Sequence, residues 1–161
     1  MKLDEKVNHI RQLAELDLVF FINLVHPHRV LGDVHKEVIN WWTRQDAKSH
    51  QLTLLPRDHG KSALAAYRAA WAITKNPAIR ILYVSSTSGL AVKQLKFIKD
   101  ILTSKIYSRY WPEMINQEES KREKWTETEI AVDHPKRAAE TVRDSTIFTA
   151  GLTTSITGLH C

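Results

Sequence analysis

The chain has 161 residues, of which 43% are hydrophobic and 25% are charged, with a formal net charge of +5. This length suits one domain, and the apolar fraction excludes intrinsic disorder of the whole chain. The single cysteine, Cys161, excludes a disulfide framework and favours a reducing compartment. No apolar run approaches the roughly 20 residues of a membrane span. We therefore expect a soluble intracellular protein, whose mixed charges point only weakly to an anionic partner.

Helical periodicity dominates the first part of the chain. Apolar residues recur at helical spacing over residues 4–25, which predicts one amphipathic helix that ends at His26. A second helix is predicted to begin after Asp33, which is a suitable N-cap residue. Its two tryptophans, Trp41 and Trp42, are expected to pack against other helices rather than to stack on bases.

The middle of the chain alternates between strand patterns and helix patterns. The predicted elements are a strand at 51–55, an Ala-rich helix at 62–74, a continuous apolar strand at 79–84, a helix at 89–107, a hairpin strand at 125–130 and a strand at 145–150. Such alternation predicts an α/β fold with a parallel sheet and helices on both faces. We divide the chain into a helical region at 1–50 and a core at 51–161.

A phosphate-binding loop is predicted between the strand at 51–55 and the helix at 62–74. Backbone N–H groups and the helix dipole at such a junction attract anions. Gly60 allows close approach of phosphate, Lys61 can reach the β- and γ-phosphate oxygens, and the Ser62 hydroxyl can ligate Mg²⁺. The candidate nucleotide-binding residues are Pro56, Arg57, Asp58, His59, Gly60, Lys61 and Ser62.

This loop departs from the common G-x-x-x-x-G-K-[ST] pattern at one place. Leu55 stands where the first glycine is usual, and Pro56 fixes the backbone at the start of the loop instead. Arg57 lies four residues before Lys61, where a guanidinium can stabilise charge developing on a γ-phosphate. A solvated arginine, or a salt bridge to Asp58, is an equally good interpretation of Arg57 on physical grounds alone.

A basic residue that opens a phosphate loop without its first glycine, followed by Gly-Lys-Ser, resembles the ATPase domain of tailed-bacteriophage terminase large subunits. Residues 31–42 are similar to the helix that carries the adenine-contacting motif of that family. Residues 81–87 are similar to its second core strand with a small-hydroxyl ending, and residues 125–160 to the segment leading to its Walker B strand. Ser85, Ser86 and Thr87 could contact nucleotide or DNA, or could cap the next helix.

The resemblance implies a role for individual residues and a set of partners. Lys61 and Ser62 would hold the phosphates of ATP and Mg²⁺, Arg57 and Lys61 would be catalytic, and His35 is the candidate adenine contact where the family often has Gln. The intact protein would couple ATP hydrolysis to translocation of double-stranded DNA. Its partners would be the small terminase subunit and the portal, in an oligomeric ring formed in the assembled motor in the host cytoplasm, with no membrane.

An ATPase of this type also needs an acidic pair at the tip of a neighbouring strand, to organise Mg²⁺ and to activate water. No apolar strand of this sequence ends in Asp-Asp or Asp-Glu. We therefore expect residues 51–161 to be a P-loop core that stops before the Walker B strand, and the family's nuclease domain to be absent. This chain alone should then be inactive or very slow. A fragment of a helicase-like P-loop ATPase and a non-catalytic split-gene product with a vestigial loop stay open as alternatives.

Overall fold

The computed structural model describes residues 3–152. The described elements are α1 (Leu3–Leu16), α2 (Leu18–Val25), α3 (Asp33–Thr43), α4 (Lys61–Lys75), β1 (Ile81–Ser85), α5 (Ser88–Leu102), α6 (Lys105–Tyr110), a 3₁₀ turn (Glu119–Lys121), β2 (Glu129–Ile130), α7 (Pro135–Ala139) and β3 (Ile147–Gly151). The stretch at 156–160 that the terminase resemblance includes lies outside the described residues, and so does Cys161.

The N-terminal segment forms two helices, so the prediction of one continuous helix over residues 4–25 is wrong. The chain breaks at Asp17, whose carboxylate accepts hydrogen bonds from the backbone N–H groups of Val19 and Phe20, at 2.7 and 3.1 Å. Asp17 is therefore the N-cap of α2. A capping carboxylate satisfies amides that a helix start leaves without partners, which favours a new start over continuation.

Two further helix boundaries differ from the sequence prediction for the same physical reason. Gly32, not Asp33, is the N-cap of α3, and the His35 ring accepts from its backbone N–H at 3.0 Å. The helix predicted over residues 89–107 ends at Leu102, and a separate helix α6 begins after Ser104. The Ser104 hydroxyl accepts from the Tyr107 N–H at 3.2 Å, which caps the new helix.

The sheet has three strands in the order β1-β3-β2. Strands β1 and β3 are parallel, in a register that runs from Ile81 opposite Ile147 to Ser85 opposite Gly151. Strand β2 is antiparallel to β3, with Ile130 opposite Ile147. A mixed α/β architecture is therefore confirmed. The prediction of a parallel sheet holds for β1 and β3, whereas β2 is antiparallel.

The predicted strand at 51–55 joins no ladder within residues 3–152. Two of its leucines point into solvent, since Leu52 is 75% exposed and Leu54 is 80% exposed. Its anchors are side-chain contacts: the Trp42 indole donates to the Thr53 hydroxyl at 2.9 Å, and Gln51 donates to the Trp41 carbonyl at 3.2 Å. The prediction of a strand at 51–55 is therefore wrong, and this segment leads into the loop outside the sheet.

The hydrophobic core lies between the helices and one face of the sheet. Helix α5 packs on α4 and on both β1 and β3, and it is the helix with extensive strand contacts among the described residues. Ile81 and Tyr83 face this core, whereas Val84 points the other way and is 43% exposed. The expected helical layer on the second face of the sheet is thus not present in residues 3–152.

Aromatic rings fill the end of the core that α2 and α6 share. Phe21, Tyr107 and Trp111 are each at most 1% exposed, and the ring centroids of Phe21 and Trp111 lie 5.8 Å apart. The Tyr107 hydroxyl hydrogen-bonds Thr74 on α4 at 2.9 Å. These contacts fix α4, the helix that follows the predicted phosphate loop.

Candidate functional site

The loop before α4 carries two left-handed residues in a short span. Asp58 has φ of 63° and Gly60, the N-cap of α4, has φ of 67°. Glycine adopts this conformation without strain, and Asp tolerates it better than most residues. Left-handed residues of this kind let successive backbone N–H groups line a concave, anion-binding surface. Phosphate binding by this loop stays a prediction.

The first backbone amides of α4 have no protein partner among residues 3–152. Within the described part of the chain, the N–H groups of Gly60, Lys61, Ser62 and Ala63 donate to no protein acceptor, and the first bond of this helix runs from Leu64 to the Gly60 carbonyl at 2.9 Å. No side-chain cap satisfies them either. This contrasts with α2, α5 and α6, where a side chain accepts from the first turn.

The Lys61 side chain folds back over the loop that precedes it. Its ammonium donates to the carbonyl oxygens of Leu55 and Pro56, at 2.5 and 2.6 Å. Leu55 stands where the common motif has its first glycine, and Pro56 is the next residue. Neutral carbonyl oxygens therefore hold the Lys61 ammonium at the mouth of the loop. A phosphate oxygen can replace them as the acceptor, and its negative charge makes the new contact stronger.

His35 joins the start of α3 to the loop. Its Nδ1 accepts from the Gly32 N–H at 3.0 Å, and its Nε2 lies 3.1 Å from the His59 carbonyl oxygen. Since Nδ1 accepts, the ring proton belongs on Nε2, which donates to His59. The structure thus brings the predicted adenine contact against the loop, with both ring nitrogens engaged by the protein. Adenine contact by His35 stays a prediction.

The remaining loop side chains are exposed. Arg57 forms no ion pair within residues 3–152, so the salt bridge to Asp58 considered above is not formed, and its carbonyl accepts from the His59 ring at 2.8 Å. The guanidinium is therefore free to meet an anion. Ser62 lies exposed in the first turn of α4. The loop residues predicted from the sequence thus stand together at one helix start.

A cleft of about 280 Å³ connects the helix start with the end of β1. Lys61 and Ser62 form one wall and Ser85 the other, at the carboxyl end of β1, where α/β sheets bind ligands. Its lining residues are Lys61, Ser62, Ala65, Tyr83, Val84, Ser85, Leu90 and Gln94. No carboxylate is among them. Thr87 caps α5, since its hydroxyl accepts from the Leu90 N–H at 3.3 Å.

The tryptophans of α3 pack as expected. Trp41 and Trp42 are both half-buried, and the Arg68 guanidinium lies 5.0 Å from the centre of the Trp42 ring. Neither indole faces the cleft beside Lys61. Their role in the described part of the chain is to hold the extended segment before the loop.

Sequence reasoning missed one residue at this site, Arg29. A Cβ atom at Gly60 would lie 3.3 Å from Arg29 Nη2 and 3.6 Å from His35 Nε2, so both side chains approach the loop at its glycine. Burial, and next the charge of Arg29, lower the pKa of the neighbouring His26. No motif marks an arginine 31 positions before the glycine, since only the fold brings the two together.

Comparison with known proteins gives no family for this chain. No protein-family model, no curated protein and no solved structure matches it significantly. Residues 3–152 contain no cluster of three or more histidine, cysteine, aspartate or glutamate side chains that could hold a metal ion. None of the described helices combines the length and the apolar character that crossing a bilayer requires.

Proposed function

We propose that this chain is the ATP-binding part of a terminase-type viral packaging ATPase. In the intact protein, ATP hydrolysis would be coupled to translocation of double-stranded DNA, with the small terminase subunit and the portal as partners. One observation carries the proposal. A basic loop with two left-handed residues ends in helix amides that have no partner among residues 3–152, and Lys61 and Ser62 share a cleft with the carboxyl end of strand β1. The motor class itself rests on the sequence resemblance.

The donor set fits a magnesium nucleotide. Unpartnered amides at residues 60–63 and the positive end of the α4 dipole favour a polyphosphate, and the Lys61 ammonium adds a full charge. The exposed Ser62 hydroxyl is a hard oxygen ligand of the kind Mg²⁺ takes. Mg²⁺ retains several waters and phosphate ligands, so it needs no dedicated protein cage.

Lys61 and Arg57 would then act in different ways on the nucleotide. Lys61 exchanges the carbonyls of Leu55 and Pro56 for phosphate oxygens, and so neutralises charge at the mouth of the loop. Arg57, without a protein partner in the described chain, lies free to stabilise charge on a terminal phosphate. ATP supplies the phosphoanhydride bond whose hydrolysis drives the motor.

The proposal includes slow turnover by this chain on its own. The cleft beside Ser62 holds no carboxylate among the described residues, so nothing there activates an attacking water. We expect the chain to bind magnesium nucleotide weakly and to hydrolyse it very slowly or not at all.

Steady-state phosphate release tests this directly, with and without double-stranded DNA. The wild-type chain should release phosphate at the rate of the Lys61→Ala variant. Lys105→Ala is a matched control, because Lys105 is likewise the first residue of a helix, α6, and its side chain is exposed. Turnover by the wild-type chain that Lys61→Ala abolishes and Lys105→Ala preserves would show that the acids are supplied within this sequence, against the proposal.

A further inference from the structure

Arg29 approaches the phosphate loop from a different part of the chain. It follows α2, and its backbone N–H donates to the His26 carbonyl at 2.9 Å, which closes a turn and fixes its main chain. Its side chain then extends to the loop, where Nη2 lies 3.3 Å from the position a Gly60 Cβ would take. A larger residue at position 60 would therefore press on the guanidinium.

The Arg29 guanidinium has no hydrogen-bond or ion-pair partner among residues 3–152. Arg29 is exposed and forms no ion pair or side-chain hydrogen bond within residues 3–152. Other arginines of the chain do find acceptors: Arg80 pairs with Asp144 at 2.9 Å, and the buried Arg137 donates to backbone carbonyls. The Arg29 backbone is held by a hydrogen bond while its guanidinium is unpaired among the described residues, so the guanidinium is available to a ligand.

The charge around Gly60 is unbalanced without such a ligand. Arg29 lies against a loop that already carries Arg57 and Lys61, while Asp58 is the one acidic residue in the loop. Like charges held near one another disfavour the folded arrangement unless an anion joins them. Three cations from two separate segments thus favour a ligand with several negative charges.

We propose that Arg29 binds the polyphosphate of the nucleotide, as a second arginine that acts from outside the loop. This inference rests on the proposed function, which it extends to a residue that no phosphate-loop motif contains. A planar guanidinium binds phosphate oxygens in a fork, which adds orientation as well as charge. His35 supports the same wall of the site as a positioning residue, because its Nε2 holds the His59 carbonyl 3.1 Å away.

Calorimetric titration of the whole chain tests the inference with three probes: Mg-ATP, magnesium tripolyphosphate and adenosine. Arg29→Gln should weaken the binding of Mg-ATP and of magnesium tripolyphosphate by about tenfold, the size expected for a charged hydrogen bond. It should leave adenosine unchanged. Because Arg29 is exposed, we expect the variant to fold. Its melting temperature without ligand should equal or slightly exceed that of the wild type, since one of three neighbouring like charges is removed.

Two control variants make the outcomes distinct. Arg109→Gln removes one exposed positive charge on α6. If Arg29 acts through its position and not through net charge, Arg109→Gln should change each affinity less than twofold. Lys61→Ala reports on the proposed function. If Lys61→Ala weakens Mg-ATP and Arg29→Gln behaves as Arg109→Gln, the role of Arg29 is wrong while the nucleotide site stands.

Two further results would overturn the inference. Weaker Mg-ATP binding in Arg29→Gln with unchanged tripolyphosphate binding would place Arg29 at the nucleoside, beside the cleft that it lines with His26, Tyr67 and Phe97. Wild-type affinities that neither Lys61→Ala nor Arg29→Gln alters would contradict both this inference and the proposed function.

Discussion

The aromatic core and the loop before α4 differ in how their polar groups are paired. In the core, large side chains pair their polar groups inside the protein: the Trp71 indole donates to the Ala14 carbonyl at 2.8 Å, and the Tyr107 hydroxyl hydrogen-bonds Thr74 at 2.9 Å. At the loop, the amides of residues 60–63 and the guanidinium groups of Arg29 and Arg57 have no partner among residues 3–152, and Gly60 has φ of 67°. The core holds α4 in place, so that the loop can keep its donors for a ligand. Stability and binding should therefore respond to different substitutions.

The largest effect is expected where aromatic rings are fully buried. Phe21 is fully buried against the rings of Tyr107 and Trp111, so Phe21→Ala leaves a cavity and should lower the free energy of unfolding by about 3–5 kcal/mol. Denaturant unfolding measures this. Phe20→Ala, one position away and 36% exposed, is the matched control. Equal losses in the two variants would contradict the placement of the core.

A pH-dependent effect should come from Tyr107. Burial raises the pKa of Tyr107 above its ordinary value of 10.0, so its neutral form is favoured in the folded state. The sign follows: the stabilisation is fully present below pH 10 and is lost as the pH rises above it, because the unfolded chain then ionises first. The loss reaches about 1.4 kcal/mol per pH unit for one group.

Tyr107→Phe should remove this part of the alkaline loss. At neutral pH the variant also loses the bond to the Thr74 hydroxyl, a cost of about 1 kcal/mol. Urea unfolding at pH 7 to 11 separates the two effects. If the wild type and Tyr107→Phe lose stability in parallel above pH 10, Tyr107 does not carry the alkaline transition.

A smaller effect is expected at the loop glycine. Gly60→Ala forces a Cβ into the left-handed region and against Arg29, which should cost about 1 kcal/mol of stability and weaken nucleotide binding. Gly89→Ala is the matched control. A Cβ at Gly89 meets nothing within 4 Å in helix α5, so that variant should gain about 0.5–1 kcal/mol. A gain at both positions would contradict the conformation described for the loop.

The sequence predicts the regular elements better than their ends. Helical periodicity places α4 and α5 correctly, and continuous apolar runs locate β1 and β3. The apolar periodicity of residues 4–25 continues across Asp17, so it does not reveal the break there. An Asp at a helix start is nevertheless a recognisable capping signal. Residues 51–55 have the composition of a strand, but a strand needs a neighbour for its hydrogen bonds, which sequence alone does not supply.

The sequence predicts the part of the site that lies in one continuous segment, but not the part that tertiary packing brings together from distant segments. The loop at 56–62 is one continuous segment, so its glycine, lysine and serine can be read together. The approach of Arg29 and the bridge from His35 to the His59 carbonyl depend on how α2 and α3 pack beside α4, over 24 or more positions of sequence. Contacts of that range follow from the tertiary fold and leave no short motif.

The central claim is that the loop before α4 binds a magnesium nucleotide through Lys61. Titration calorimetry of Mg-ATP into wild-type, Lys61→Ala and Lys105→Ala chains tests it most directly. We predict Mg²⁺-dependent binding by the wild type, the same affinity in Lys105→Ala, and at least about tenfold weaker binding in Lys61→Ala, since one charge-assisted phosphate contact is lost. Binding that is unchanged in Lys61→Ala, or that is indifferent to Mg²⁺, would contradict the account.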